Sequence, residues 1–114
     1  MSDCIFCKIV NGEIPSKKAY EDDKILAFYD LNPVAPVHIL IVPKIHINSI
    51  VDLDSKSIEY VTYIMTKIKD LAKELGVDES GFRLVTNVGD DGGQTVEHLH
   101  FHLVGGRPLE WPPG

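Results

Sequence analysis

Residues 98–104 read HLHFHLV, and the alternation of His98, His100 and His102 with Leu99, Phe101 and Leu103 constrains this chain more than any other stretch. Successive side chains of a β-strand point to opposite faces, so residues i, i+2 and i+4 share one. The segment is therefore predicted to be a strand, with three imidazoles on one side and three large apolar side chains turned toward a core. Imidazole titrates near neutral pH, which suits nucleophilic or acid–base work, or metal binding. Just upstream, Gly89, Gly92 and Gly93 free the backbone to turn its N–H groups inward, the kind of concavity that holds phosphate. A tight turn between strands is the plainer reading of these glycines, and three neighbouring histidines favour the anion cradle. Asp90 and Asp91 would repel phosphate and are expected to face water.

The remaining pattern supplies the core. In "SKSIEYVTYIMTKIKDLAKELG" the apolar residues Ile58, Val61, Ile64, Met65, Ile68, Leu71, Ala72 and Leu75 recur at three- and four-residue steps. That spacing predicts one long amphipathic helix, capped by Asp54 or Ser55 and stopped by Gly76. "HILIVPK" is an unbroken apolar strand buried on both faces and ended by Pro43. "KAYEDDKILAFYD" reads as a hairpin about Asp22-Asp23, "GFRLVTNV" as a further strand, and "CIFCKIVNG" as a short helix ended by Gly12. Without repeats or linkers, the 114 residues read as one domain, 1–114, of an antiparallel α+β sheet class.

Charge and cysteine usage narrow the function. Eleven Lys and Arg against 17 Asp and Glu leave a net charge of −6, which disfavours a nucleic-acid polymer or an anionic membrane surface as partner. A small nucleotide held by backbone amides remains compatible. The start, "MSDCIFCKIV", lacks the basic and apolar regions of a signal peptide, and no apolar run is long enough to span a bilayer, so a cytoplasmic protein is expected. The two cysteines, Cys4 and Cys7, form a C-x-x-C pair, which in a reducing compartment reads as a metal or redox motif, metal first.

HLHFHLV fits the His-φ-His-φ-His-φ-φ signature (φ apolar) of the histidine triad (HIT) family of nucleotide-binding proteins. The likeness extends through "CIFCKIVNGEIPS", "AFYDLNPVAPVHILIVPKIH", "NVGDDGGQTVEHLHFHLVGGR" and "WPPG", and is strongest to the Hint branch of nucleoside phosphoramidases. It implies a HIT-like α+β fold with a five-stranded antiparallel sheet, one long helix and a short N-terminal helix, paired as a homodimer. His100 matches the family's nucleophile, with His102 and His38 in support; the proton for the leaving group comes from a histidine or through Thr95, two routes the sequence leaves open. Asp30 and Leu31 match the ribose contacts, Phe6 and Phe28 the base pocket, and Asn87, Gly93, Gln94 and Thr95 the phosphate side. Trp111 belongs to the tail that shapes the site. The resemblance also implies structural Zn2+ on Cys4, Cys7, His46 and His98, with no metal required for catalysis.

Two positions depart from the family's pattern. Glu97 is acidic where an aromatic or small residue is common, and Thr95 replaces the usual serine. The implied activity is hydrolysis of purine nucleoside phosphoramidates, such as adenosine 5'-monophosphoramidate, through a nucleotidyl-histidine. The alternatives are a dinucleoside polyphosphate hydrolase or nucleotidyl transferase using the same histidine, a non-catalytic nucleotide-binding scaffold, and a metallohydrolase with zinc on the triad itself.

Overall fold

The computed structural model describes residues 4–114; the first three residues of the expected 1–114 span lie outside it. The elements run α1 (Ile5–Val10), β1 (Lys18–Glu21), β2 (Ile25–Tyr29), β3 (Val37–Pro43), a 3-10 turn (Ile50–Asp52), α2 (Ile58–Glu74), β4 (Phe82–Val85) and β5 (Phe101–Gly105). The five strands form one antiparallel sheet in the order β1-β2-β3-β5-β4. This is the α+β architecture expected from the sequence, with α1 and α2 as its short and long helices.

Strand periodicity divides the sheet into two apolar layers. Ile25 and Ala27 of β2, Ile39 and Ile41 of β3, and Phe101 and Leu103 of β5 join Leu99 in one cluster with Ile64, Ile68, Leu71 and Ala72 of α2. The alternate residues Leu26, Phe28, Leu40 and Val42 meet Phe6 and Ile9 of α1 on the opposite face. A strand covered on both sides has no polar face to offer, which is why His38 through Pro43 are all buried. His102 pairs with Leu40 across the ladder and therefore stands on the α1 face.

The two helices end where glycine permits a left-handed turn, with φ of +80° at Gly12 and +76° at Gly76. At the start of α2 the structure differs from expectation. Asp54 Oδ1 accepts from the N–H groups of Lys56 and Ser57 and from the Ser57 hydroxyl. These bonds stabilise a separate turn, so the helix begins only at Ile58 and neither Asp54 nor Ser55 caps it. Ile58 and Met65, counted in the apolar stripe, remain partly exposed on this chain.

The last two strands are also shorter than predicted. Beyond Val85, the Thr86 hydroxyl donates to the His100 carbonyl at 2.8 Å, a side-chain bond in place of the ladder. The Leu99 N–H leaves the sheet to donate to Ile47 O at 2.6 Å. The ladder of β5 accordingly starts at Phe101, and His98 and His100 precede it outside the ladder. The alternation survives nonetheless: Leu99, Phe101 and Leu103 are in the α2 core, while His98 and His100 ring-stack edge-on with Phe6 of α1.

Leu103 is fully buried at the centre of the sheet. Leu103→Ala should destabilise the fold by about 2–5 kcal/mol, from lost burial and a residual cavity. Urea unfolding monitored by circular dichroism would measure it, and a loss below about 1 kcal/mol would contradict this packing.

Candidate active site and metal centre

His100 is buried, and its Nδ1 lies 2.7 Å from the carbonyl oxygen of His98. A carbonyl only accepts, so Nδ1 carries a proton, and in the neutral ring Nε2 is the nitrogen with the lone pair. The carbonyl that selects this tautomer comes from the residue two positions upstream, just before β5 begins. The Phe6 ring stands edge-on to His100 with centroids 5.0 Å apart, and the His102 ring lies 5.1 Å away on the other side.

A second chain of hydrogen bonds orients His102. The Val34 N–H donates to His38 Nδ1 at 3.2 Å, so neutral His38 carries its proton on Nε2. That nitrogen is 2.9 Å from His102 Nδ1 and donates to it, which leaves the His102 proton on Nε2. Asp30 Oδ2 stands 3.4 Å from the same His38 nitrogen, while its Oδ1 accepts from the Asn32 N–H. Arg107 braces the start of this relay: its guanidinium donates twice to the Val34 carbonyl, at 3.0 and 3.2 Å. Burial, and then the proximity of His100 and His38, lower the His102 pKa to about 4 against an opposing pull from Asp30. His102 is thus a neutral donor near pH 7.

Phe6, which packs on His100, and Leu40, the ladder partner of His102, also line a cavity of about 230 Å³. Phe6, Ile9, Ile14, Phe28 and Leu40 give it apolar walls, and Asp30 and Leu31 stand among its lining residues. Four residues assigned from sequence to base and ribose are thereby brought to one pocket. Phe6 and Phe28 hold each other edge to face at 5.6 Å. Trp111 is 82% exposed and is not among the lining residues of this pocket.

The glycine-rich segment forms tight turns, and Asp90 and Asp91 are exposed as expected. A Cβ on Gly92 would collide with the Val88 carbonyl oxygen, and Gly93 adopts φ +78°. Asn87 Nδ2 donates to Gly92 O at 2.7 Å. Gly93 N–H donates to Asp90 O and Gln94 N–H to Gly89 O, so two amides of the 93–95 region are engaged within the loop. Gln94 is its staple: Oε1 accepts from Gly89 N–H, and Nε2 donates to the carbonyls of Asn48 and Val96. Thr95 and Glu97 are exposed, and both line a depression shared with Cys4 and His46.

That depression borders a third cluster. Ligand-type atoms of Cys4, Cys7, His46 and His98 all lie within 4.8 Å of one another. Cys4 caps α1, with its sulfur accepting from the Cys7 N–H at 3.4 Å. His98 Nδ1 is 3.4 Å from Cys4 Sγ and 3.5 Å from Cys7 Sγ, and His46 Nδ1 is 3.2 Å from Cys7 Sγ. His98 donates its Nε2 proton to Pro43 O at 3.0 Å, and His46 donates its own to Asn48 Oδ1 at 2.7 Å. Both imidazoles therefore turn a bare Nδ1 toward the thiols. Bond lengths of about 2.3 Å to sulfur and 2.0–2.1 Å to nitrogen imply S···N edges of about 3.5 Å around tetrahedral zinc. Burial, against the opposing Pro43 hydrogen bond, lowers the His98 pKa to about 4, which keeps this nitrogen unprotonated. The residues fit the ion.

Spacing alone could not have singled out Thr86, Val34, Asn48 or Arg107. Each acts on a histidine or loop residue through a backbone group or a partner distant in sequence.

Comparison with known proteins gives the family and the fold. Residues 11–109 match the model of the HIT domain. The chain is 46% identical to the 14 kDa zinc-binding protein of Brassica juncea, covering 98% of this chain and all of that one. Its counterpart in Zea mays is 47% identical over 99% of this chain and 89% of that one. Among solved structures, a HIT family hydrolase from Legionella pneumophila superposes with a TM-score of 0.95 at 50% identity, covering 98% of this chain and 100% of that one. A histidine triad protein from Clostridium difficile does so at 0.92 and 56% identity, over 96% of each chain.

The His102 environment has a consequence for stability. Its folded pKa lies below the ordinary value near 6.5, so between these two values the unfolded chain binds more protons. Its contribution should be constant above pH 6.5 and be lost progressively as the pH falls toward 4. Urea unfolding across pH 4–8 should therefore show a shallower acid loss for His102→Asn than for the parent chain. Identical slopes would contradict the burial-lowered pKa.

Proposed function

The chain belongs to the HIT family, and from that premise we propose that it is a nucleotide-binding hydrolase that cleaves purine nucleoside phosphoramidates through a covalent nucleotidyl-histidine. The carrying observation is the 2.7 Å bond from His100 Nδ1 to His98 O, which puts the lone pair of the neutral ring on Nε2, while Phe6, packed edge-on against His100, also walls the apolar pocket edged by Asp30. In this reading Phe6 and Phe28 flank the purine, Asp30 takes the ribose hydroxyls, and Leu31 covers the sugar. Asn87, Gly93, Gln94 and Thr95 border the phosphate.

His100 Nε2 attacks phosphorus without a separate base, since its lone pair is already exposed to the electrophile. The phosphorus–nitrogen bond breaks, and the amine leaves with the bonding pair and takes up a proton. The positive charge that develops on the substituted imidazole is shared with His98 O through Nδ1–H. Water then displaces His100: its hydroxyl goes to phosphorus, and over the cycle its other hydrogen goes to the amine. Nucleoside monophosphate and neutral His100 are regenerated. His102, a neutral donor held by His38, hydrogen-bonds a phosphoryl oxygen as charge builds there.

The same reading places structural zinc on Cys4, Cys7, His46 and His98. The names of the Brassica juncea and Zea mays relatives support it, as does the donor geometry. Cys4, Cys7, His46 and His98 would hold the ion with four protein donors, and its role there would be to cross-link the start of α1, the 46–48 segment and the segment that carries His98. We place the protein in the cytoplasm, as a single-domain homodimer joined through the outer edge of β4. The exposed Phe82 and Met65, and the place of β4 at an edge of the sheet formed by the described residues, support pairing. No helix among the described residues is long and apolar enough to cross a membrane.

His100→Asn should reduce turnover of adenosine 5'-monophosphoramidate by about three orders of magnitude or more, with a much smaller change in nucleotide affinity. His102→Asn and His38→Asn should slow the reaction less. Quenching the parent enzyme at alkaline pH should trap labelled nucleotide on His100. Label on another histidine would overturn the mechanism, and preferred turnover of dinucleoside polyphosphates would reassign the substrate. Nucleotide binding without any turnover would identify a scaffold. Elemental analysis should find about one zinc per chain, and light scattering twice the 12.7 kDa chain mass.

A further inference from the structure

The metal cluster and the glycine-rich loop meet at one residue that belongs to neither. Asn48 Oδ1 lies 2.7 Å from His46 Nε2, and the Asn48 main-chain carbonyl accepts from Gln94 Nε2, also at 2.7 Å. Gln94 in turn accepts the Gly89 N–H through Oε1 at 3.1 Å. A continuous path therefore runs from Cys7 and His46, through both polar ends of Asn48, to the amide that opens the loop.

We propose that Asn48 is a positioning residue with two roles: its side chain selects the metal-binding tautomer of His46, and its main chain anchors the glycine-rich loop to the metal centre. The proposal rests on the reading of Cys4, Cys7, His46 and His98 as a zinc site.

The side-chain role follows from proton placement. His46 is exposed, unlike His98, and beside Cys7 Sγ its ring meets His98 edge-on with centroids 4.9 Å apart, a contact that fixes neither its tautomer nor which nitrogen faces Cys7. Without an acceptor at Nε2, the neutral imidazole divides between two tautomers and two ring orientations, and only one presents a bare Nδ1 to Cys7. The Asn48 amide oxygen accepts from Nε2–H and selects that state. Partners of this kind outside the ligand set are commonly worth 10- to 100-fold in metal affinity.

The main-chain role follows from connectivity. His46 and Asn48 are two residues apart, and Leu99 N–H also binds Ile47 O between them at 2.6 Å. Holding His46 on a metal therefore holds the carbonyl to which Gln94 is tied. Release of the metal should loosen residues 46–48, then Gln94, then the Gly89 amide.

Competition with a chelator tests the first role on the purified full-length protein. Asn48→Ala should bind zinc about 10- to 100-fold more weakly than the parent chain. Asn48→Asp, which retains an acceptor oxygen, should restore affinity to within a few-fold. Equal affinity in all three, or equal losses in both variants, would overturn the side-chain assignment. Hydrogen exchange tests the second role: chelation should speed exchange at the Gly89 amide in the parent chain, and zinc should restore protection. Exchange at Gly89 that ignores zinc would overturn the coupling. A parent chain that binds no zinc would overturn the zinc reading itself, and that arm is read before either variant is compared.

Discussion

The hydrogen bond from His100 Nδ1 to the carbonyl of His98 is the contact on which the arrangement of this site depends. It spans only two residues, yet it requires the backbone at His98 to be held in one orientation. That orientation is set by what His98 does with its other groups. Its side chain is buried, donates from Nε2 to Pro43 at the end of β3, and turns Nδ1 to the thiols of α1. The residue that completes the candidate metal site therefore also carries the carbonyl that orients the proposed nucleophile. One extended segment serves both centres because its backbone and side chain act on different partners.

The sheet makes this double use possible. Leu99, Phe101 and Leu103 are anchored among α2 and the central strands, so the segment cannot slide or rotate without exposing large apolar surface. A one-residue slip would exchange the imidazoles with the core side chains. On the opposite face Phe6 touches both His98 and His100, and its helix carries Cys4 and Cys7. The small helix α1 thus walls the apolar pocket, screens the histidines and, together with its N-cap Cys4, contributes two donors to the candidate metal site. Polar chemistry here is supported by apolar packing on both sides, in a place where an unpaired imidazole would be costly.

Much of this was legible in the chain. The period of two in HLHFHLV identified which residues face the core, and the three- and four-residue steps of α2 identified the layer that covers them. The C-x-x-C pair and His46 and His98 were readable as one ligand set, through the family likeness rather than through spacing. The strand ends were less legible. β4 stops because the Thr86 hydroxyl replaces a ladder bond, and β5 starts late because Leu99 N–H turns to Ile47. Neither competition has a local signature. At α2 the Asp54 side chain was a capping candidate, but it is spent on a turn before the helix.

What the sequence determined by itself is the sorting of side chains: which alternate, which recur at helical steps, and which types could hold metal or attack phosphorus. These are properties of neighbours along the chain, and local geometry converts them directly into faces. Proton placement was decided only by the tertiary structure. Nε2 of His100 is bare, His102 keeps its proton on Nε2, and His46 and His98 turn Nδ1 to sulfur because of acceptors and donors on Val34, Pro43, Asn48 and the His98 backbone. An imidazole has two equivalent-looking nitrogens until a partner distinguishes them. Most of those partners are backbone groups, which every residue type carries and which acquire meaning only when folding sets them opposite a ring.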